Sequence, residues 1–212
     1  DLHSFPTRRS SDLNTEKPKV KNCYFSIPKQ LAKENKKFQF SVVEKKGTAR
    51  KFENSIEWLR DANLVYLCYN VSTPAFPLAA YEKEDMYKLY LADIGLLIAM
   101  YGYDMKKAII DDTLTGAAKG GIYENLIADM LVKREHKLNY FRSQNGETEI
   151  EFLITKEAQI IPVEVKANRG STVSLNRILE QTQIPYGYKL ISGNVGVNDK
   201  KIVLPLYMAM FL

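Results

Sequence analysis

Hydrophobic residues in the first half of the chain recur with helical spacing in some segments and with strand spacing in others. Helical spacing over 22–35 and 48–63 predicts two helices, and alternating apolar and polar residues over 38–42 predict a short strand between them. Residues 64–71 and 86–91 have strand character and predict a hairpin. Helix, strand, helix and hairpin in this order are typical of a winged helix.

Helices and strands continue after the hairpin, and a stretch of small residues at 113–121 separates them into two groups. This stretch is the best candidate for a boundary, so 14–112 and 113–212 are predicted to form two parts of an α+β protein. The remaining predicted elements are helices at 94–101, 105–110, 121–134 and 174–181, strands at 138–142, 148–154, 160–166 and 188–192, and a last strand and helix that extend to residue 212.

Residues 1–13 show neither helical nor strand periodicity. Within them, HSFPTRRSSDL resembles a translated sequencing-adapter oligonucleotide. Segments of this kind are excluded from fold prediction, as cloning scars are. We therefore expect residues 1–13 to be a non-native leader and the gene to be truncated at its 5′ end, with native sequence from about residue 14.

Composition and charge limit the kind of protein. The net charge of +5 and the isoelectric point near 9.0 permit nucleic acid as a partner but do not require it. Cys23 and Cys68 lie in apolar surroundings, as reduced and buried thiols of cytosolic proteins do. Because no segment resembles a membrane span or a signal peptide, we expect a cytoplasmic protein without membrane contact, of unknown oligomeric state.

The segment 148–166 contains the most informative pattern. If residues 156–159 form the loop of an antiparallel hairpin, Thr155 pairs with Ile160, and this register places only apolar residues on one face. That face is predicted to join the core. Its cross-strand pairs are Ile154 with Ile161, Phe152 with Val163, and Ile150 with Val165.

Acidic residues meet on the other face of this hairpin, where Glu151 lies opposite Glu164 and Glu149 lies opposite Lys166. Like charges directly across a strand pair destabilise a sheet unless a proton, a cation or solvent relieves the repulsion. Hard divalent cations prefer carboxylate oxygens, so the pair predicts a metal site. Lys166 follows Glu164 by two residues on the same face, from which it can reach a phosphate or an attacking water.

Glu124 is a third acidic candidate, on the helix predicted from residue 121. It lies at the margin of the apolar stripe of that helix, from which a carboxylate can point along the sheet toward the hairpin. The alternative is an acid that the helix dipole favours near an N-terminus, without any ligand. Position alone favours this alternative.

Glu151, the triplet Glu164-Val165-Lys166 and Glu124 on a preceding helix together resemble the PD-(D/E)XK signature of restriction-endonuclease-like enzymes. The resemblance implies a nuclease-like α/β domain with a mixed central sheet at 113–212. It also implies that Glu124, Glu151 and Glu164 bind Mg²⁺ or Mn²⁺, while Lys166 assists water in phosphodiester hydrolysis. The family usually has Asp where this chain has Glu151, and the longer side chain changes the geometry available to Mg²⁺.

Longer blocks resemble a family of bacterial and archaeal AAA-type ATPases. AKGGIYENLIADML and YFRSQNGETEIEFLI are similar to the uncharacterised C-terminal module of that family, and IPKQLAKENKKFQFS is similar to the segment before it. In the family a P-loop ATPase domain precedes both. This chain has no G-x-x-x-x-G-K-[ST], so ATP is expected only in a missing upstream domain, which is also an expected partner.

Two functions remain open from the sequence. One is a metal-dependent DNA nuclease, and the other is an inactive nuclease fold that binds DNA or protein under control of the ATPase domain. Basic residues in the first part of the chain could contact DNA phosphates or could form solvated surfaces. They are Lys29, Lys33, Lys36, Lys37, Lys45, Lys46, Arg50 and Lys51.

Overall fold

The computed structural model describes residues 10–167 and 172–212, which fold around one β-sheet. Residues 1–9 of the predicted leader lie outside this part of the chain, whereas the first helix already begins at Ser10. The identification of 1–13 as non-native therefore stays a prediction. Within the described part, no helix has both the length and the apolar composition of a membrane span.

Groups of helices and groups of strands follow one another along the chain. The helices are α1 (Ser10–Leu31), α2 (Phe40–Val43), α3 (Ala49–Asp61), α4 (Ile94–Tyr101), α5 (Tyr103–Ile110), α6 (Gly116–Lys133) and α7 (Val173–Leu179), with short 3-10 helices at Leu78–Tyr81 and Leu206–Phe211. The strands are β1 (Val65–Val71), β2 (Glu82–Leu91), β3 (Asn139–Arg142), β4 (Glu149–Lys156), β5 (Gln159–Lys166), β6 (Gly187–Ile191), β7 (Gly196–Asn198) and β8 (Lys201–Pro205).

The sheet is mixed, and its strand order is β2-β1-β3-β4-β5-β6-β8-β7. Hairpins join β1 to β2, β3 to β4, and β4 to β5 in antiparallel pairs, and β7 also pairs antiparallel with β8. The pairs β1–β3, β5–β6 and β6–β8 are parallel. The predicted α+β class and the mixed sheet are therefore confirmed.

The winged helix predicted for 14–112 is not confirmed. The hairpin of β1 and β2 does not form a separate wing, because β1 also pairs in parallel with β3. The hairpin is thus one edge of the common sheet. The division between residues 112 and 113 stays a prediction, although one sheet and one large core cluster contain residues from both sides of it.

The strand predicted at 38–42 is wrong. Only an isolated bridge joins Lys37 to Lys88 of β2, after which the chain turns into α2. Phe38 and Phe40 pack edge to face, and Phe40 also stacks on Phe52 of α3. The alternating pattern therefore reflects aromatic packing within a tight connection, because aromatic residues favour burial in either backbone conformation.

The long helix α6 contacts both β2 and β5, so it links the two halves of the sheet. Ile127 and Leu131 on its apolar side are fully buried in the larger core cluster. That cluster also contains Cys23 and Cys68, which are free and buried, as predicted. Burial raises the pKa of the Cys23 thiol to about 12, which makes it unreactive at neutral pH.

Close contact between α1 and α6 generates a prediction about stability. A Cβ atom at Gly121 would lie 2.2 Å from the carbonyl oxygen of Leu31, whereas a Cβ at Gly120 would have no neighbour within 4 Å. Gly121→Ala should therefore lower the free energy of unfolding by about 1–3 kcal/mol, because backbone must move. Gly120→Ala should raise it by about 1 kcal/mol through helix propensity. Urea denaturation of both variants measures these changes, and equal effects would contradict the close packing of α1 against α6.

Candidate functional site

A β-bulge in β4 includes Glu151, one of the predicted site residues. Asn139 of β3 pairs with Leu153, whereas Phe141, two residues later, pairs with Ile150, three residues earlier. One extra residue is therefore present in β4, opposite Tyr140. Bulges of this kind redirect side chains and are common beside active sites.

The bulge corrects part of the predicted hairpin. The register is confirmed where the ladder exists, from Thr155 with Ile160 to Phe152 with Val163. Ile150, however, does not pack with Phe152 as predicted. It belongs to the core cluster of α7, whereas Phe152 belongs to the cluster of α6, because the extra residue interrupts the alternation of the strand.

Glu151 lies at the point where the ladder of β4 and β5 ends. One of its oxygens, Oε2, accepts a hydrogen bond from the backbone N–H of Val165 at 3.2 Å. The other, Oε1, accepts a hydrogen bond from the Lys166 ammonium at 3.0 Å. The carboxylate thus accepts a hydrogen bond from a backbone N–H of β5, where a strand partner would otherwise be the acceptor. Each of its two oxygens has a donor. It is almost completely buried.

Glu164 meets the same lysine, so the predicted neighbourhood of Glu151, Glu164 and Lys166 is present. The Lys166 Nζ lies 3.5 Å from Glu164 Oε1. The second oxygen, Oε2, has no hydrogen-bond partner among the described residues, although Glu164 is only 1% exposed. An unpaired buried oxygen of this kind carries a desolvation cost, so it is a candidate for a proton or a cation.

Burial and neighbouring charge shift the pKa values of these groups. Burial raises the pKa of Glu164 to about 7, with Lys166 lowering it and Glu151 raising it. Burial likewise raises the pKa of Glu151 against the opposing effect of Lys166. Burial lowers the pKa of Lys166, but Glu151 and Glu164 raise it by more, so its pKa is raised overall. Lys166 therefore stays an ammonium at neutral pH.

Glu124 of α6 lies in the same buried region, but lysines hold it. Its Oε1 lies 3.0 Å from the Lys36 Nζ, and its Oε2 lies 3.5 Å from the Lys88 Nζ and accepts a hydrogen bond from the Tyr90 hydroxyl at 3.2 Å. Burial raises the pKa of Glu124, but Lys88 and Lys36 lower it by more. Its oxygens are thus occupied, and no group of three acidic, His or Cys side chains among the described residues has the geometry of a metal site.

Lys88 is a part of the site that the sequence analysis missed. It is 1% exposed, and its Nζ lies 2.7 Å from Glu149 Oε1 and 4.8 Å from the centre of the Tyr140 ring. Burial lowers its pKa, but Glu124 and Glu149 raise it by more, so it remains charged. The available signal was a single lysine between Tyr87 and Leu89, in the apolar half of a strand.

Two predicted roles change with these contacts. Lys36, for which the sequence left open a phosphate contact or a solvated surface, is buried against Glu124, and this burial suits neither. Glu149, predicted opposite Lys166, is instead paired with Lys88 at 2.7 Å and with Arg142 at 3.2 Å. The reason is the bulge, which separates Glu149 from β5 and turns it toward β3.

The structure is thus that of a mixed α and β protein whose β-sheet carries a buried cluster of acidic and lysine side chains. Two family models match this chain. Residues 9–107 match DUF8612 and residues 119–208 match DUF4143, each described as a domain of unknown function. Searches of the curated proteins and of the solved structures found no match. Lys36 and Lys88 lie in the first matched region, whereas Glu124, Glu151 and Glu164 lie in the second.

The raised pKa of Glu164 predicts a pH dependence of stability. The folded chain holds this proton to about pH 7, whereas an unfolded chain releases it near pH 4.5, so the free energy of unfolding falls as pH rises between these values. Glu164→Gln removes this contribution. Relative to the wild-type chain it should gain about 2 kcal/mol from pH 5 to pH 7.

Urea denaturation in EDTA at several pH values measures this difference. The exposed Glu180→Gln variant serves as the control and should follow the wild-type curve. A constant difference between Glu164→Gln and the wild-type chain over this range would contradict the assignment.

Proposed function

We propose that this chain carries a metal-dependent phosphodiesterase site of the nuclease type, with Glu151, Glu164 and Lys166 as its reactive groups. The observation that carries the proposal is the meeting of two buried carboxylates from neighbouring strands at one lysine, with one carboxylate oxygen unpaired. The resemblance to restriction-endonuclease-like enzymes suggests DNA as the substrate class.

The pair Glu151 and Glu164 fits a magnesium-type site. Such sites commonly use one or two carboxylates and complete the coordination with water and substrate phosphate. Glu164 Oε2 is a suitable ligand atom because it is unpaired. Glu151 would bind the ion by exchanging its contact with the Lys166 ammonium, which is the more exposed partner. Bound Mg²⁺ or Mn²⁺ would polarise a phosphate and activate water. Glu124, which the sequence suggested as a third ligand, would support the site from the neighbouring ion pairs instead.

Lys166 is the residue that we assign to the water or the phosphate. Its side chain is 28% exposed, more than that of Glu151 or Glu164, so Lys166 is the member of these three that a substrate reaches from solvent. Because it stays protonated, it can donate hydrogen bonds to a phosphate oxygen or to the attacking water, but it cannot accept a proton. Lys189 of β6 pairs with Glu164 in the parallel ladder and adds a second positive charge beside this position.

DNA cleavage tests the proposal. Glu164→Gln and Lys166→Met should each reduce Mg²⁺- or Mn²⁺-dependent cleavage on the order of 100-fold, because each removes a charged group that acts in the transition state. The measurement is the cleavage of labelled DNA with each metal and with EDTA. Lys156→Met and Glu180→Gln, at exposed positions, are matched controls that should retain activity. Wild-type rates in both site variants would reject the assignment.

A non-catalytic binding module is the second candidate function. It is favoured by the neutralisation of the acids by Lys36, Lys88 and Lys166, which does not require a metal ion, and by Glu151 in place of the usual Asp. On this alternative the wild-type chain does not cleave DNA. A Mn²⁺ titration would then show no binding that depends on Glu151, whereas a tight Glu151-dependent site would argue against the module.

We also propose that the chain is the C-terminal part of an AAA-type ATPase. The support is the resemblance of its sequence blocks to that family, together with the match of residues 119–208 to DUF4143. The upstream reading frame is expected to encode a G-x-x-x-x-G-K-[ST] motif between a strand and a helix. Sequencing the complete gene tests this expectation, and a different upstream domain would contradict it.

A further inference from the structure

Lys88 stands where the acidic side chains of two elements converge. Its ammonium lies 2.7 Å from Glu149 of β4 and 3.5 Å from Glu124 of α6, and it is covered by the Tyr140 ring. Tyr140 is opposite the bulge that contains Glu151. A fully buried lysine that contacts carboxylates from both a helix and a strand is in the position that a metal ion takes in a carboxylate site.

Asn70, the ladder partner of Tyr140, provides a second and independent observation on this face of the sheet. It is completely buried, and neither its side-chain nitrogen nor its side-chain oxygen has a hydrogen-bond partner among the described residues. Asn70 pairs with Tyr140 in the parallel ladder of β1 and β3, so both side chains are on the same face of the sheet. That face also contains Lys88, because its ammonium lies over the Tyr140 ring. An unpaired amide oxygen is a ligand that hard cations accept.

We propose that the Lys88 ammonium is a built-in cation that fills a second acidic site, made by Glu124 and Glu149 on the sheet face that carries Tyr140 and Asn70. It thereby leaves only Glu151 and Glu164 for a divalent ion. The inference rests on the proposed function, since it explains which of the buried acids can bind metal. Lys88 is on this basis a positioning residue that limits the number of bound ions, and it does not touch the substrate.

Replacement of the lysine should uncover the second site. Lys88→Met keeps the length and apolar stem of the side chain but removes its charge, which leaves Glu124 and Glu149 without their shared cation. Buried carboxylates without a counter-charge are strongly unfavourable, so a divalent ion should replace the ammonium. In the double variant Lys88→Met with Glu149→Gln, one acid is also removed. That variant should bind no additional ion.

The number of Mn²⁺ ions bound to the full chain tests the inference. Electron paramagnetic resonance of free Mn²⁺ should give about one bound ion for the wild-type chain and about two for Lys88→Met, with about one again for the double variant. If Lys88→Met is unfolded in EDTA, Mn²⁺ should restore its circular dichroism. A Lys88→Met chain that binds no more Mn²⁺ than the wild-type chain, or that stays unfolded in Mn²⁺, would overturn the inference.

Failure of the proposed function has a different signature. Glu164→Gln should remove the ion that the wild-type chain binds. A wild-type chain that binds no Mn²⁺ would argue against the proposed function alone. A Glu164→Gln chain that binds as much Mn²⁺ as the wild-type chain would do the same. In either case the inference about Lys88 depends on the difference between the wild-type chain and Lys88→Met in the number of bound Mn²⁺ ions. An additional bound ion in Lys88→Met that is absent from the double variant would support the inference.

Discussion

Buried charges on α6 and on the sheet compensate one another. Transfer of a charged group from water to a protein interior costs several kcal/mol unless an opposite charge compensates it. Glu124 is compensated by Lys36 and Lys88, and Glu151 by Lys166. Loss of one partner would cost about 3–5 kcal/mol, because a buried charge would remain alone. The helix and strands that carry these residues are therefore held in register by charge as well as by apolar packing.

The same balance joins the two regions that match separate family models. Lys36 and Lys88 come from the region that matches DUF8612, and they neutralise Glu124 and Glu149 in the region that matches DUF4143. The parallel pairing of β1 with β3 makes the sheet continuous between them. The acidic site of the second region thus depends on side chains of the first. A purely local interpretation of the sequence from 113 onward could not have included them.

Much of the fold could be predicted from periodicity, because strand alternation and helical spacing are local properties of the sequence. The hairpin register from Thr155 to Phe152 is an example. Beyond the end of this ladder, Glu151 and Glu164 still contact the same lysine. The bulge could not be predicted, since it arises from the pairing of β4 with β3, and strand pairing is not a local property of the sequence. For the same reason the buried position of Lys88 was missed. Its partners are far away in sequence, and a lysine within a strand ordinarily lies on the surface.

The bulge also explains why Glu stands at residue 151, where the resemblance leads one to expect Asp. The side chain must reach the backbone N–H of Val165 with one oxygen and the Lys166 ammonium with the other, across a gap where the ladder has ended. A side chain shorter by one methylene would lose one of these contacts, and it would leave a buried donor unpaired. The longer acid is thus matched to a bulged strand. This structural reason weakens the support that the departure gives to the inactive alternative over the active one. The unpaired oxygen of Glu164 and the position of Lys166 bear on that question more directly, because they are the groups that a metal ion and a phosphate would contact.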